Sequence, residues 1–290
     1  MSIFSGLDCS PDIFLVEALL NGILLAGLLA LLALGLNLIF GVIDVVWICY
    51  AELVMIGMYG IHHAYKGGLP FLLAALFGIV LVAAAGALLH YLVIRPVLDS
   101  EPINQLLVTG GVLIFLQAVA TMAFGVEFKN IGISLGSITA FDMSFSFSRI
   151  LGFVVALIGM LALWLFLTRT YLGTAIRAIA QDRQIMPLMG VDSKKIYLVT
   201  SAVGGGLAGL AAALMVLNYD IYPQIGLQFG PLIFMICVLG GLGNMIGGFV
   251  AAFIISQFIA VGSSCFHTEW GYAVAFLFFM GAIFFKPQGL

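Results

Sequence analysis

The chain has 290 residues, 63% of them hydrophobic and 8% charged, with a formal net charge of −3. Soluble globular domains carry about 25% charged residues, so a water-facing surface over most of the chain is excluded. The composition is that of a polytopic membrane protein, and without a basic stripe interleaved with aromatics it excludes nucleic acid as a partner.

A helix needs about 20 apolar residues to cross the hydrocarbon core. In chain order the candidate spans are Ile13 to Leu36, Val42 to Tyr65, Leu69 to Ile94, Asn104 to Phe124, Arg149 to Leu167, Ile196 to Leu217, a short one from Gln228 to Leu242, Met245 to Gly262, and Trp270 to Phe285. This predicts an all-α fold with eight or nine transmembrane or re-entrant helices in a single membrane domain, residues 1–290. The N-terminal MSIFSGLDCSPD lacks a positive n-region, so the first span is expected to stay as an anchor. Between spans four and five, Phe141, Met143, Phe145 and Phe147 alternate with small polar residues. That is the period of a strand, and a short ribbon and an irregular loop with aromatic anchors are both consistent with it. Gly240, Gly241 and Gly243 interrupt an apolar run in G-G-L-G-N. The break is either a tight inner turn or a re-entrant tip, because non-helical backbone at membrane depth must be satisfied by protein or water.

Orientation follows from Lys and Arg in short loops. With the N-terminus outside, the inner side receives Arg95, Arg169, Arg177, Arg183, Lys194, Lys195 and Lys286, and the outer side Lys66, Lys129 and Arg149. Cys9, Cys49, Cys237 and Cys265 form no C-x-x-C and no metal-ligand pattern. Cys9 and Cys265 both fall outside, where a disulfide can form, although Cys is also a common small buried residue.

The polar segment Arg169 to Lys195 holds five of the ten Lys and Arg. Gly173 and Gly190 bracket a helical stretch, Gly190 as its C-terminal stop and Asp182 as a candidate N-cap. Arg177 and Arg183 offer planar donors to carboxylates or carbonyls of a partner. The plainer reading is an ordinary inner loop obeying the positive-inside rule. The chain has no G-x-x-x-x-G-K-[ST] to cradle a nucleotide. Nor does it have the several intramembrane ionisable residues usual in proton-driven carriers. A transporter of this kind fits a subunit driven by a separate ATPase.

Three blocks then carry a resemblance: A-L-G-L-N-L-I-F-G-V-I at Ala33 to Ile43, L-G-T-A-I-R-A-I-A-Q-D-R-x-x-x-P-L-M-G-V-D at Leu172 to Asp192, and V-L-G-G-L-G-N-M-I-G-G at Val238 to Gly248, with a terminal K-P-Q-G-L. With these the chain resembles the permease subunits of ABC importers for branched-chain amino acids, a family that includes urea and short-chain amide importers. The resemblance implies a multi-pass protein of the bacterial inner membrane and no cofactor in this chain, with ATP and Mg on partner ATPases. It further implies a second permease subunit, an external solute-binding protein, surrounding lipid, and a small neutral or zwitterionic substrate. The second block would be the cytoplasmic coupling segment. Pro187 falls where the family more often has Ala, so the docking helix is expected to kink or start there. A secondary carrier or channel without an ATPase is the alternative from another class.

Glu52 is an intramembrane carboxylate, expensive unless paired or wet. It is assigned to the substrate pathway with Asn37, Trp47, Tyr50 and Thr109; a hydrogen-bonded structural carboxyl is the competing reading. Asn37, Thr109 and Gln117 suit helix–helix hydrogen bonds as well. Asn218, Tyr219 and Tyr222 are placed at an outer span end, suited to receiving substrate. Ala202, Gly206 and Gly209, with Gly205 and Ala213, form a stripe that lets helix backbones touch, more plausibly within the chain than between permeases.

Overall fold

The computed structural model describes residues 13–98, 100–133, 136–140, 143–183, 186–265, 268–286 and 289. Cys9, Phe141 and the Cys265 side chain lie outside what is described. The helices are α1 (Ile13–Ile43), α2 (Tyr50–Lys66), α3 (Phe71–Leu89), α4 (Arg95–Val97), α5 (Pro102–Phe124), α6 (Phe147–Arg169), α7 (Tyr171–Gln181), α8 (Ser193–Met215), α9 (Ile225–Gly240), α10 (Met245–Cys265) and α11 (Thr268–Phe285). A π-helical turn, His90–Ile94, joins α3 to α4. It directly precedes Pro96, which lacks the N–H that a regular turn requires there.

Among the described residues, six helices are long and apolar enough to cross a membrane, and α9 and α11 are shorter apolar helices. The chain is a polytopic membrane protein. Tertiary contacts fix two ends. At the basic end, Arg183 pairs with Asp44 at 3.2 Å, and Gly41 packs on Gly243. At the opposite end, β1 (Ser137–Ala140) and β2 (Met143–Ser146) pair antiparallel with Ser137 opposite Ser146. The alternating pattern thus forms the ribbon, and Phe147 already opens α6. Lys129 and Ile221 form an antiparallel bridge at this ribbon end, backed by Asn130 donating to Asp220 at 2.8 Å.

The core sits around α1, which packs on α10, α8, α6 and α9. Its Leu29 to Ala33 are wholly buried. By contrast α3, α5 and α6 leave large apolar side chains exposed, among them Leu72, Ile114, Met122 and Trp164, as helices facing lipid do. The second predicted span begins late. The expected helix from Val42 is replaced by an extension of α1 to Ile43, then a non-helical stretch, and α2 starts only at Tyr50. The continuous apolarity of the sequence hides this break, because a buried non-helical segment is as apolar as a helix.

The α3–α8 contact is the closest approach between helices that the small-residue stripe produces. A Cβ at Gly209 would lie 2.7 Å from Ile79 Cα, and one at Gly205 2.7 Å from Val82 O, whereas one at Gly206 would meet only Ala83 Cβ at 3.8 Å. The stripe therefore packs within the chain, as expected, but through Gly205 and Gly209 instead of Gly206. Gly209→Leu should lower the thermal unfolding midpoint in detergent by the equivalent of about 1–3 kcal/mol or more, while Gly206→Leu should leave it near wild type. Equal losses would contradict this packing.

Candidate functional site

The break between α1 and α2 builds the site. Asp44 closes α1 through its amide to Phe40 O at 2.8 Å. It has φ 60°, the one positive-φ non-glycine residue among those described, and such a backbone turns the chain sharply. Residues 44–47 are then without regular structure, and Tyr50 N closes onto Trp47 O at 3.1 Å as α2 begins. Backbone outside helices survives in an apolar layer only where protein or a cavity satisfies it. Here Thr109 Oγ1 donates to Val46 O at 3.1 Å from α5.

Beside this stretch lies a cavity of about 290 Å³. Val46, Trp47, Ile48 and Tyr50 form one wall, Leu106 and Leu113 of α5 another, and Gly226, Leu227, Gly230, Pro231 and Phe234 of α9 a third. The lining is apolar, with few polar groups, as ligand sites commonly are. The Tyr50 hydroxyl is tied down, donating to Gly204 O at 3.1 Å. The wholly buried Trp47 Nε1 has no partner.

Glu52 lies two residues into α2 and is fully buried. Its Oε1 accepts from Gln117 Nε2 at 2.8 Å, whereas Oε2 has no hydrogen-bond partner among the described residues. The carboxylate rests on Gly226 in the first turn of α9, where any Cβ would overlap it. A helix N-terminus carries partial positive charge, so this glycine lets the acid approach a favourable end of α9. Gly226, Pro231 and Phe234 carry no sequence signal for such a role; Gln117 was visible only as one of several polar groups within spans.

Of the residues assigned to the pathway, the structure brings Trp47, Tyr50, Glu52 and Thr109 together around the break. Asn37 lies elsewhere. It accepts from Gly243 N at 3.2 Å and packs on Gly248, pinning the turn between α9 and α10. That turn carries Gly241 and Gly243 at positive φ. Gly240 packs directly on the Gly247–Gly248 backbone. The G-G-L-G-N break is thus a tight helix–helix turn at the basic end. Asn218 donates to Leu214 O at 3.0 Å and Tyr222 to Gln228 at 2.7 Å, both toward the ribbon end.

The basic segment has a different local design from the expected one. Thr170 is the N-cap of α7, its Oγ1 accepting from Gly173 N at 3.0 Å. Gly173 therefore lies inside the first turn, pressed against the Phe166–Leu167 backbone. Asp182 occupies the C-cap of α7, not an N-cap; its extended backbone ends the helix. Asp192 takes the N-cap role for α8, accepting from Lys195 N at 3.3 Å. Those amide hydrogen bonds, led by that of Lys195, hold its carboxyl below the usual range. Pro187 falls in a separate 3₁₀ turn, Met186–Met189, so it neither kinks nor starts α7. Gly190 follows that 3₁₀ turn at φ 82°, so it is not the stop of α7, which ends at Gln181 with Asp182 as its C-cap.

Ala175, Ile176 and Ile179 are buried beneath α7, which packs on α6, α1 and α8. On the other side Arg177 is exposed, with Tyr171 80% and Met189 73% exposed nearby in sequence. Arg183 is taken up within the chain by Asp44.

These features accompany a clear set of similarities. The family model described as "Branched-chain amino acid transport system / permease component" matches residues 18–283. The high-affinity branched-chain amino acid transport system permease protein BraD of Pseudomonas aeruginosa is 29% identical, covering 97% of each chain. The corresponding protein LivH of Salmonella typhimurium is 27% identical over 96% of each. Among solved structures, PsaBC from Streptococcus pneumoniae in complex with Fab shares the fold at TM-score 0.51 and 15% identity, covering 96% of this chain and 93% of that one.

Gly226→Ala should lower the thermal midpoint in detergent by the equivalent of about 1–3 kcal/mol, because the new methyl meets the Glu52 carboxylate. Adding Glu52→Ala should restore most of it. A double variant no more stable than Gly226→Ala alone would contradict this contact.

Proposed function

The chain belongs to the family of branched-chain amino acid transport system permease components, and on that premise we propose that it is the membrane-spanning subunit of an ABC importer for branched-chain or other apolar amino acids. The observation that carries the reading is the joint placement of an apolar cavity, a non-helical wall and a basic docking segment on one connected path. The chain itself is no enzyme; ATP and Mg are handled by partner ATPases. A second permease subunit completes the membrane part, an external binding protein delivers the substrate, and lipid covers α3, α5 and α6. The protein sits in the bacterial inner membrane with its basic end in the cytoplasm and its ribbon end outside. In this reading α2, α9 and α11 join the six longer helices to make nine membrane elements, α2 starting at mid-depth.

The ATPase docks on the exposed face of α7, where Tyr171 and Leu172 supply apolar contact and Arg177 a planar set of donors. When nucleotide binding moves α7 and the turn after it, Arg183 carries Asp44 with it. Asp44 is the first residue of the 44–49 wall, so movement of the docking segment reshapes the cavity. Branched aliphatic side chains fit the wall of Trp47, Ile48, Leu106 and Phe234. Glu52 Oε2, without a hydrogen-bond partner among the described residues, lies behind Gly226 and outside the cavity lining, so it would receive a substrate ammonium only once α9 moves.

The test is transport by the complete complex in proteoliposomes, supplied with binding protein and labelled leucine, isoleucine or valine. Uptake should require ATP and stop when Arg177→Glu removes the docked ATPase. Uptake driven by an ion gradient in the absence of ATP would overturn the proposal.

A further inference from the structure

A second cavity, of about 230 Å³, opens at the ribbon end between α1, α6, α8, α10 and α11. The first half of α9 stands between the two cavities. Gly226, Leu227 and Gly230 face the first. On the other side, the Phe229 ring meets Tyr219 at 5.1 Å and Gln228 Nε2 reaches Tyr272 Oη at 3.4 Å, both tyrosines lining the second cavity.

The rim of this second cavity is polar and its floor aliphatic. Arg149 donates to Asn21 Oδ1 at 3.0 Å, and no carboxylate pairs with it among the described residues. A guanidinium has five N–H donors, so most of them remain for a ligand. Asn218 spends its amide N–H on Leu214 O at 3.0 Å, leaving Oδ1 as an acceptor. Burial pushes the Tyr219 phenol up to about 12, with Tyr272 adding to the rise and Arg149 opposing it; it stays a neutral hydroxyl. Below them Leu28, Leu214 and Ile259 give an apolar floor. Cation, neutral acceptor and aliphatic floor together match one small molecule: carboxylate on Arg149, ammonium on Asn218 Oδ1, hydrocarbon side chain downward.

We propose that this outer cavity is an entry site that takes the apolar α-amino acid as the external binding protein releases it, before it passes α9 toward the cavity at 44–49. The inference rests on the amino-acid importer reading above. A phospholipid headgroup that carries both phosphate and ammonium would offer Arg149 and Asn218 Oδ1 the same pair of charges, so native mass spectrometry is used to separate the two sources.

The experiment measures ATP-dependent uptake of labelled leucine, isoleucine and valine by the full complex in proteoliposomes at sub-saturating loaded binding protein. Arg149→Gln should cut uptake about tenfold or more, as loss of a charge-assisted hydrogen bond does, and Arg149→Lys should recover part of it. Ser263→Leu, which fills the cavity without touching the charge, should raise the concentration needed for half-maximal uptake. Normal yield of the assembled complex separates these losses from misfolding. Wild-type uptake left intact by both Arg149→Gln and Ser263→Leu would overturn the entry site alone. Wild-type vesicles that move none of the three amino acids would overturn both the importer reading and the site. Native mass spectrometry showing a phospholipid, and no amino acid, lost on Arg149→Gln would also overturn it.

Discussion

Backbone amides and carbonyls inside an apolar layer must find partners within the protein, and at residues 44–49 this chain meets that demand without a helix. The ladder stops at Asp44 and resumes at Tyr50. Between them the Val46 carbonyl is held by Thr109 of α5. An unsatisfied carbonyl there would cost several kcal/mol in hydrocarbon by order of magnitude, so the Thr109 hydroxyl, together with Gln117 on Glu52, ties the mostly exposed α5 to α2 and the stretch before it. The break places Trp47 and Ile48 as a cavity wall and starts α2 deep enough to bury Glu52. It also leaves Asp44 at the basic end, within reach of Arg183. The cavity wall, the buried carboxylate and the Asp44–Arg183 tie are consequences of one interruption.

Small residues make the rest of that geometry affordable in space. Gly35 gives room to the Tyr50 hydroxyl, Gly204 packs on Ile39, and Gly226 admits the Glu52 carboxylate to the first turn of α9. Gly205 and Gly209 let α8 lie directly on α3. Dispersion and packing, not the hydrophobic effect, hold helices together within lipid, so these contacts set the positions of α3 and α8. Where α8 goes, the carbonyl of Gly204 goes, and with it the anchor of Tyr50.

The sequence made the membrane class and most helices legible, because 20-residue apolar runs mark them directly. It also disclosed the basic segment, whose charges stand out against an apolar background, and Glu52, an isolated acid within a span. It hid the break at 44–49, since D-V-V-W-I-C is as apolar as the helices on either side and the expected span ran straight through it. It misassigned caps in the basic segment for a related reason. Thr170, Asp182 and Asp192 are all competent capping residues, and only the packing of α7 against α6 and α1 decides which ones serve. Asn37 looked like a pathway group because its polarity is visible while its partner, the Gly243 amide, is more than 200 residues away.

The link from docking segment to cavity wall is most directly tested at Ile48, which is 37% exposed. Ile48→Cys in the complete complex would be treated with a small thiol reagent with and without a non-hydrolysable ATP analogue. The account predicts a labelling rate that changes several-fold on nucleotide binding, and a change that disappears when Asp44→Ala cuts the tie to Arg183. Labelling that ignores nucleotide, or that responds equally with and without Asp44, would contradict it.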